Sequence, residues 1–312
     1  KLCLDRSDKI EHPFERALAF KGQLERVFDT AQTGFSYWYE TTRRFLTINI
    51  TPLNVSAKFS QMMQDTGAAF VFTSATLSVD NKLDHFNASL GLKPAQSMMV
   101  DSPFDYPNQA LLCLPRYLPE SHADNMPHAI VKLTLELIKS AQGRCFVLFT
   151  SYRMMHLVAE GLTTQIDYPV YMQGQMSKRI ILEKFTRHGN AVLLGTASFW
   201  EGVDVRGSTL SCVIIDKLPF AAPDDPLLQA KMQDCQMQGK DPFAHIQLPQ
   251  AVIALKQGVG RLIRDSKDKG VLVICDNRLV TRQYGQVFLK SLPAMRRTRS
   301  LEVANTFLQQ IN

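Results

Sequence analysis

Four short, almost wholly apolar runs constrain this chain more than any other feature: Cys145 to Phe149, Ala191 to Leu194, Leu210 to Ile215 and Val271 to Cys275. Each stops at a glycine or a polar residue, namely Thr150, Gly195, Asp216 and Asp276. Runs of this length suit strands, and a strand that is apolar at successive positions must be covered on both faces. Helical patterns lie between them, one opening at Tyr152 and a long one spanning about Leu248 to Ile263. This alternation predicts a doubly wound α/β domain on a parallel sheet. In such sheets ligands bind beyond the carboxyl ends of the strands, so the polar residues after each run are where chemistry is expected.

The upstream part reads differently. Residues 1 to about 40 are expected to be mainly helical and carry an aromatic cluster at Phe35, Tyr37, Trp38 and Tyr39. From Arg43 a β-rich run, Phe45 to Ile50, precedes an amphipathic stretch, Val55 to Met63. Ala69 to Thr73 reads as a buried strand ending in Ser74-Ala75-Thr76. Prolines at 94, 103, 107, 115 and 119 mark a boundary near residue 105. The expected organisation is therefore 1–42, 43–104 and 105–312.

A chain of 312 residues accommodates about two domains. The formal net charge of +6 suits a polyanionic partner, and an ordinary surface also carries it. No apolar run reaches membrane-spanning length. The six cysteines are scattered without a CxxC pair and the seven histidines show no ligand spacing, so neither a disulfide framework nor a metal site is legible. Buried, reduced thiols in a cytoplasmic protein are expected. The chain opens at Lys1 in mid-pattern and reads as a piece of a longer protein.

Two strings carry chemistry. Gln257-Gly-Val-Gly-Arg-Leu-Ile-Arg264 sets two arginines three apart, on one face of a continuing helix, with Gln257 a turn before Arg261. Guanidinium groups suit bidentate contact with phosphate oxygens. The other reading is a helix with exposed arginines and close glycine packing. A dinucleotide loop is excluded by context, because these glycines do not follow a strand and Ile263 fills the third small position. Gly195-Thr-Ala-Ser-Phe-Trp-Glu-Gly-Val-Asp-Val-Arg-Gly207 follows a strand with three glycines, the hydroxyls of Thr196 and Ser198, and the acids Glu201 and Asp204. Glycines let backbone N–H groups approach phosphate or ribose, and an Asp accepts from a ribose hydroxyl. An ordinary strand-to-helix loop with Trp200 in the core is the alternative.

Together these strings resemble motifs V and VI of superfamily 2 helicases. Trp-Glu-Gly-Val-Asp with Gln-x-x-Gly-Arg-Leu-Ile-Arg is similar to the XPD/DinG group of iron–sulfur DNA helicases, bacterial DinG/YoaA branch. Phe72-Thr-Ser-Ala-Thr-Leu-Ser78 resembles motif III, Val147-Leu-Phe-Thr-Ser-Tyr152 motif IV, and Ser102-Pro-Phe-Asp105 the passage between two motor domains. The resemblance runs from about Arg43 to the C-terminus. It implies a RecA-like second motor domain at 105–312, the C-terminal part of the first at 43–104, and the end of an inserted arch-like helical domain at 1–42.

The resemblance further implies roles. Arg261 and Arg264 would face the γ-phosphate, one as an arginine finger, with Gln257 as its sensor. Asp204 would contact ribose, with Glu201 and Gly202 shaping that loop. Ser74 and Thr76 would relay nucleotide state, and Thr150, Ser151, Thr196 and Ser198 would line the single-strand DNA track. ATP and Mg2+ would be the cofactors of the whole protein, and a 4Fe-4S cluster would belong to the N-terminal part. The chain contains no Gly-x-x-x-x-Gly-Lys-[Ser/Thr] and no Asp-Glu dipeptide. Alone it is therefore expected to bind none of these cofactors and to be inactive. Its partners would be single-stranded DNA, an N-terminal motor domain, and a replisome or single-strand-binding protein subunit. The direction of travel, 5′ to 3′, is implied by the resemblance alone. Two rivals stand beside this reading: a non-catalytic RecA-like module that grips single strands or a protein, and an unrelated cofactor-binding α/β enzyme. Basic knots at Arg296-Arg-Thr-Arg299, Arg43-Arg44 and Lys178-Arg179 are phosphate contacts or solvated faces.

Overall fold

The computed structural model describes residues 8–30, 32–92, 95–196, 199 and 209–312. The chain divides into two compact units. One comprises Lys1–Phe70, Ala88–Leu92 and Ala222–Ile246; the other comprises Val71–Asn87, Lys93–Ala221 and Gln247–Asn312.

In the first unit a helix spans Asp8–Phe28. A two-stranded antiparallel hairpin follows, β1 (Phe35–Thr41) against β2 (Leu46–Pro52). The aromatic cluster expected within a mainly helical stretch thus lies in a strand. Aromatic side chains favour a pleated surface, and Thr42 Oγ1 closes the turn by accepting from the backbone N–H of Arg44 and Phe45. Trp38 Nε1–H reaches across the hairpin to Thr51 Oγ1 at 3.2 Å. The amphipathic stretch forms a helix, Ser56–Thr66, which ends at Gly67 with φ +62°, a conformation that suits a residue without Cβ.

The second unit is a seven-stranded parallel sheet. Its strands are β3 (Ala110–Cys113), β4 (Cys145–Leu148), β5 (Val170–Met172), β6 (Val192–Gly195), β7 (Cys212–Ile215), β8 (Gly270–Ile274) and β9 (Arg296–Thr298). Their order is β5-β6-β4-β7-β8-β3-β9, with every pairing parallel. Alternation along the apolar strands feeds two cores. Phe146, Leu148, Val213, Ile215, Leu272 and Ile274 face one layer, together with Ile181 and Phe185 of helix Lys178–His188 and Leu255 of helix Leu248–Val259. Val147, Phe149, Ile214, Val271 and Val273 face the other, with helices Met126–Ser140, Tyr152–Thr163 and Leu301–Ile311 packed on it. Helices on both faces of a parallel sheet make this the doubly wound α/β fold that the apolar runs predict.

Two local expectations are corrected. Residues 69–73 form no strand, and Val71 is 85% exposed. A doubly buried strand needs ladder partners on both edges, and none of the strands among the described residues runs beside it. The helix expected to continue to Ile263 ends at Val259, with Gly260 as its cap. Arg261 and Arg264 therefore do not share a helical face.

Candidate functional site

Among the described residues, the arginine string and the hydroxyls that follow the strands lie at two opposite ends of the parallel sheet. At the amino ends, the helix carrying Gln257 stops at Gly260, and the chain crosses to the start of β8 at Gly270. Leu262 and Ile263 are 2% and 3% exposed and sink into the core layer of helix Leu248–Val259. Leu262 seats so closely on Gly270 that a Cβ there would stand 2.5 Å from Leu262 Cδ1. The apolar pair anchors the loop, leaving Arg261 and Arg264 half-buried on either side of it. Beyond Arg264 the Asp268 carboxylate accepts from the backbone N–H of Arg264 and Asp265, both at 2.9 Å. Gln109, just before β3, donates to the carbonyls of Asp265 and Asp268 at 2.9 Å each. The arginine loop is thus fixed at both ends, at the edge opposite the one that the strand-end rule pointed to.

Lys256, one residue before Gln257, was not singled out by sequence. Its ammonium donates to both the carbonyl and the hydroxyl of Ser78 at 2.9 Å, and burial lowers its pKa. It therefore joins the motif-III-like segment to the helix that leads into the arginine loop. Within that segment Ser74 is exposed and Thr76 half-buried. Their hydroxyl oxygens lie 3.3 Å apart, and Thr76 N–H donates to Ser74 Oγ.

The carboxyl ends hold Thr150, Ser151 and Thr196. Asp216, directly after β7, accepts from Thr150 N–H at 3.0 Å, Thr150 Oγ1 at 3.3 Å and Lys217 N–H at 2.7 Å. Burial nevertheless pushes the Asp216 carboxyl up to about 7, against the lowering by these bonds and the Lys217 charge. Ser151 Oγ accepts from Met154 N–H and caps helix Tyr152–Thr163. Thr196 is buried, and both its N–H and its hydroxyl donate to Gln173 Oε1, at 2.6 and 2.9 Å. Gln173 Nε2 in turn donates to Tyr152 OH at 2.6 Å. Thr196 thereby positions the ends of β5 and β6 instead of presenting a hydroxyl outward. At the end of β8, Asp276 takes a bidentate contact from Arg278 and accepts from Leu218 N–H. Ser198, Glu201, Gly202 and Asp204 lie outside the described residues.

Among the described residues no group of three or more His, Cys, Asp or Glu converges as a metal site. Cys113, Cys145, Cys212 and Cys275 sit in the apolar layer on one face of the sheet. Burial pushes the Cys113 thiol up to about 12 and raises Cys212 and Cys275 as well. Cys113, Cys212 and Cys275, with thiols so raised, do not fit an iron–sulfur cluster, which needs thiolates.

The sheet and its two sets of strand-end residues belong to a chain with recognisable relatives. Residues 134–295, more than half of the chain, match the helicase C-terminal domain. The chain belongs to that family. The ATP-dependent DNA helicase YoaA of Escherichia coli (strain K12) is 52% identical over 308 residues, covering 99% of this chain and 48% of the relative. The ATP-dependent helicase DinG of Mycobacterium tuberculosis (strain H37Ra) is 34% identical over 278 residues, covering 88% and 41%. A solved XPD helicase shares the fold with a TM-score of 0.63 at 20% identity, over 89% of this chain and 50% of that one. The DinG/XPD resemblance drawn from the motifs is borne out. This helicase C-terminal domain chain spans about half the length of the curated relatives it matches. No helix among the described residues is long and apolar enough to cross a membrane.

Proposed function

We propose that this chain supplies the arginine side of the ATP site and part of the single-strand track of an ATP-dependent 5′-to-3′ DNA helicase of repair or replication. One observation carries the reading. Arg261 and Arg264 flank a core-anchored pair on a loop held by Asp268, at the sheet end opposite Thr150. Two guanidinium groups on such a loop, with Gln257 at the preceding helix end, suit a triphosphate and fit half of an ATP site. ATP bound there would supply a transferable γ-phosphoryl group. Arg261 and Arg264 would stabilise its developing charge, and Gln257 would sense it. Asp204, Glu201 and Gly202 are proposed for the ribose side. The phosphate cradle and the Mg2+ ligands would come from another motor domain, since the chain contains no Gly-x-x-x-x-Gly-Lys-[Ser/Thr].

At the other edge, Thr150 would turn its hydroxyl proton from Asp216 to a strand phosphate, with Ser151 and Ser198 proposed for the same track and Thr196 acting through Gln173. Ser74 and Thr76 would report nucleotide state, and the Lys256–Ser78 bonds give that segment a direct mechanical link to the arginine loop. We assign residues 1–42 to the end of an inserted arch-like domain, 43–104 to the first motor domain and 105–312 to the second. A replisome or single-strand-binding protein subunit is proposed as partner, in the bacterial cytoplasm.

The test is ATP turnover with and without single-stranded DNA, for this chain, for the whole gene product and for that product carrying Arg264→Ala. The chain alone is expected to be inert and the whole protein DNA-stimulated. The variant is expected to lose about 10³-fold or more, as removal of an arginine finger does. A whole protein without DNA-stimulated turnover would overturn the motor reading in favour of a non-catalytic binding module.

A further inference from the structure

The carboxyl edge of the sheet continues past Thr150 to a cleft that neither the motifs nor the relatives assign. Beyond the ends of β3 and β9 lies an open cleft of about 640 Å3, lined among others by Arg116, Tyr117, Lys132, Glu136, Arg299 and Ser300. Three cations there face one carboxylate. Arg116, Lys132 and Glu136 are exposed, and the Tyr117 ring is 92% exposed, held out beside the cations instead of being packed. The walls are built into the sheet end. Leu114 N–H donates to the Thr298 carbonyl at 2.9 Å, and Arg299 Nε reaches the Leu114 carbonyl at 3.4 Å. Asn277, after β8, donates to the Leu118 carbonyl at 2.8 Å, pinning the loop that carries Arg116 and Tyr117. A sequence of strand ends therefore leads from Thr150 and Asp216 through Asp276 and Asn277 to this cleft. β4 and β3 are three strand spacings apart in the sheet, roughly 14 Å, a span that a few nucleotides of extended single strand cover.

We propose that this cleft is an outlying subsite of the single-strand track, taking a nucleotide by stacking on Tyr117 with its flanking phosphates on Arg116, Lys132 and Arg299. Cations tracking a backbone beside an exposed ring are what sequence-tolerant single-strand binding uses. The inference rests on the reading of the Thr150 edge as a DNA track.

The experiment is fluorescence anisotropy of this chain with labelled oligothymidylates, one too short to reach from Thr150 to the cleft and one long enough. Four proteins are compared: wild type, Tyr117→Ala, Arg116→Ala and Thr150→Val, each checked for an unchanged melting temperature. For the long oligomer, Tyr117→Ala is expected to raise Kd roughly fivefold or more, the scale of losing one base–aromatic stack. Tyr117→Trp should restore it. Arg116→Ala is expected to lower the slope of log affinity against log salt by about 0.7, one single-strand phosphate contact. Neither change should affect the short oligomer, which Thr150→Val should weaken. If both cleft variants bind the long oligomer like wild type while Thr150→Val loses affinity, the subsite is wrong and the track reading survives. If wild type binds neither oligomer, both fall. Cleft variants that keep full DNA affinity but lose an acidic peptide would make the cleft a protein-docking site and overturn the proposal.

Discussion

Asp216 offers the sharpest link between burial and behaviour. Its carboxyl is 1% exposed and accepts three hydrogen bonds, yet burial raises its pKa to about 7. A carboxyl raised in the folded state binds more protons folded than unfolded between the two values. Its stabilising contribution is full below the unfolded pKa and is lost as pH rises through the folded one. A rise from 3.8 to about 7 at roughly 1.4 kcal/mol per unit sets a ceiling of about 4 kcal/mol. Between about pH 5 and pH 8 some two of those units are crossed, or roughly 3 kcal/mol. Asp216→Asn reproduces the neutral acid. Its amide oxygen can still accept from Thr150 N–H and Lys217 N–H, and its NH2 can donate to Thr150 Oγ1. The variant should therefore lack this pH dependence and be the more stable protein at pH 8. Hydrogen exchange in peptides spanning Phe146–Leu148 and Val213–Ile215, measured at both pH values, reads the opening free energy of the sheet itself. Wild type should lose roughly 3 kcal/mol more than the variant on going from pH 5 to pH 8. Equal losses in the two proteins would refute the reasoning, since Asp216 would then be ionised across the whole range.

Gly270→Ala would set a Cβ 2.5 Å from Leu262 Cδ1 and 2.6 Å from the Ser211 carbonyl. The leucine can turn but the backbone cannot, so a loss of about 1–3 kcal/mol should appear as a lower thermal midpoint. Ser151→Ala removes the cap that accepts from Met154 N–H and should destabilise by about 1 kcal/mol, seen as faster exchange confined to the first turn of helix Tyr152–Thr163.

The strands legible in the sequence were those buried on both faces. β4, β6, β7 and β8 are apolar at successive positions because helices cover them on both sides. β3 was hidden because Pro107 and Pro115 bracket it and its four residues look like part of a loop. β5 and β9 are three-residue edge strands, too short to show a period, and β9 is built from Arg296-Arg297-Thr298, which reads as a basic knot. The arginine string was legible as chemistry but not as geometry. Gly258 is buried within the helix while Gly260, two residues on, ends it, and nothing in a Gly-x-Gly pattern distinguishes a packing glycine from a cap. Gln173 and Lys256 carry no motif. They matter only because folding brings the first beside Thr196 and the second beside Ser78.

The opposite placement of Arg264 and Thr150 has a mechanical meaning. β8 is five residues long, about 16 Å of extended chain, and the sheet around it is closely packed on both faces. Close packing of this kind has low compressibility and transmits strain. A displacement imposed where the guanidinium groups sit is therefore expected to be carried through the sheet to where the threonine hydroxyls sit. Damage to the sheet's interior would then weaken both edges in the same proportion. A change at either edge alone would leave the packing at the other intact.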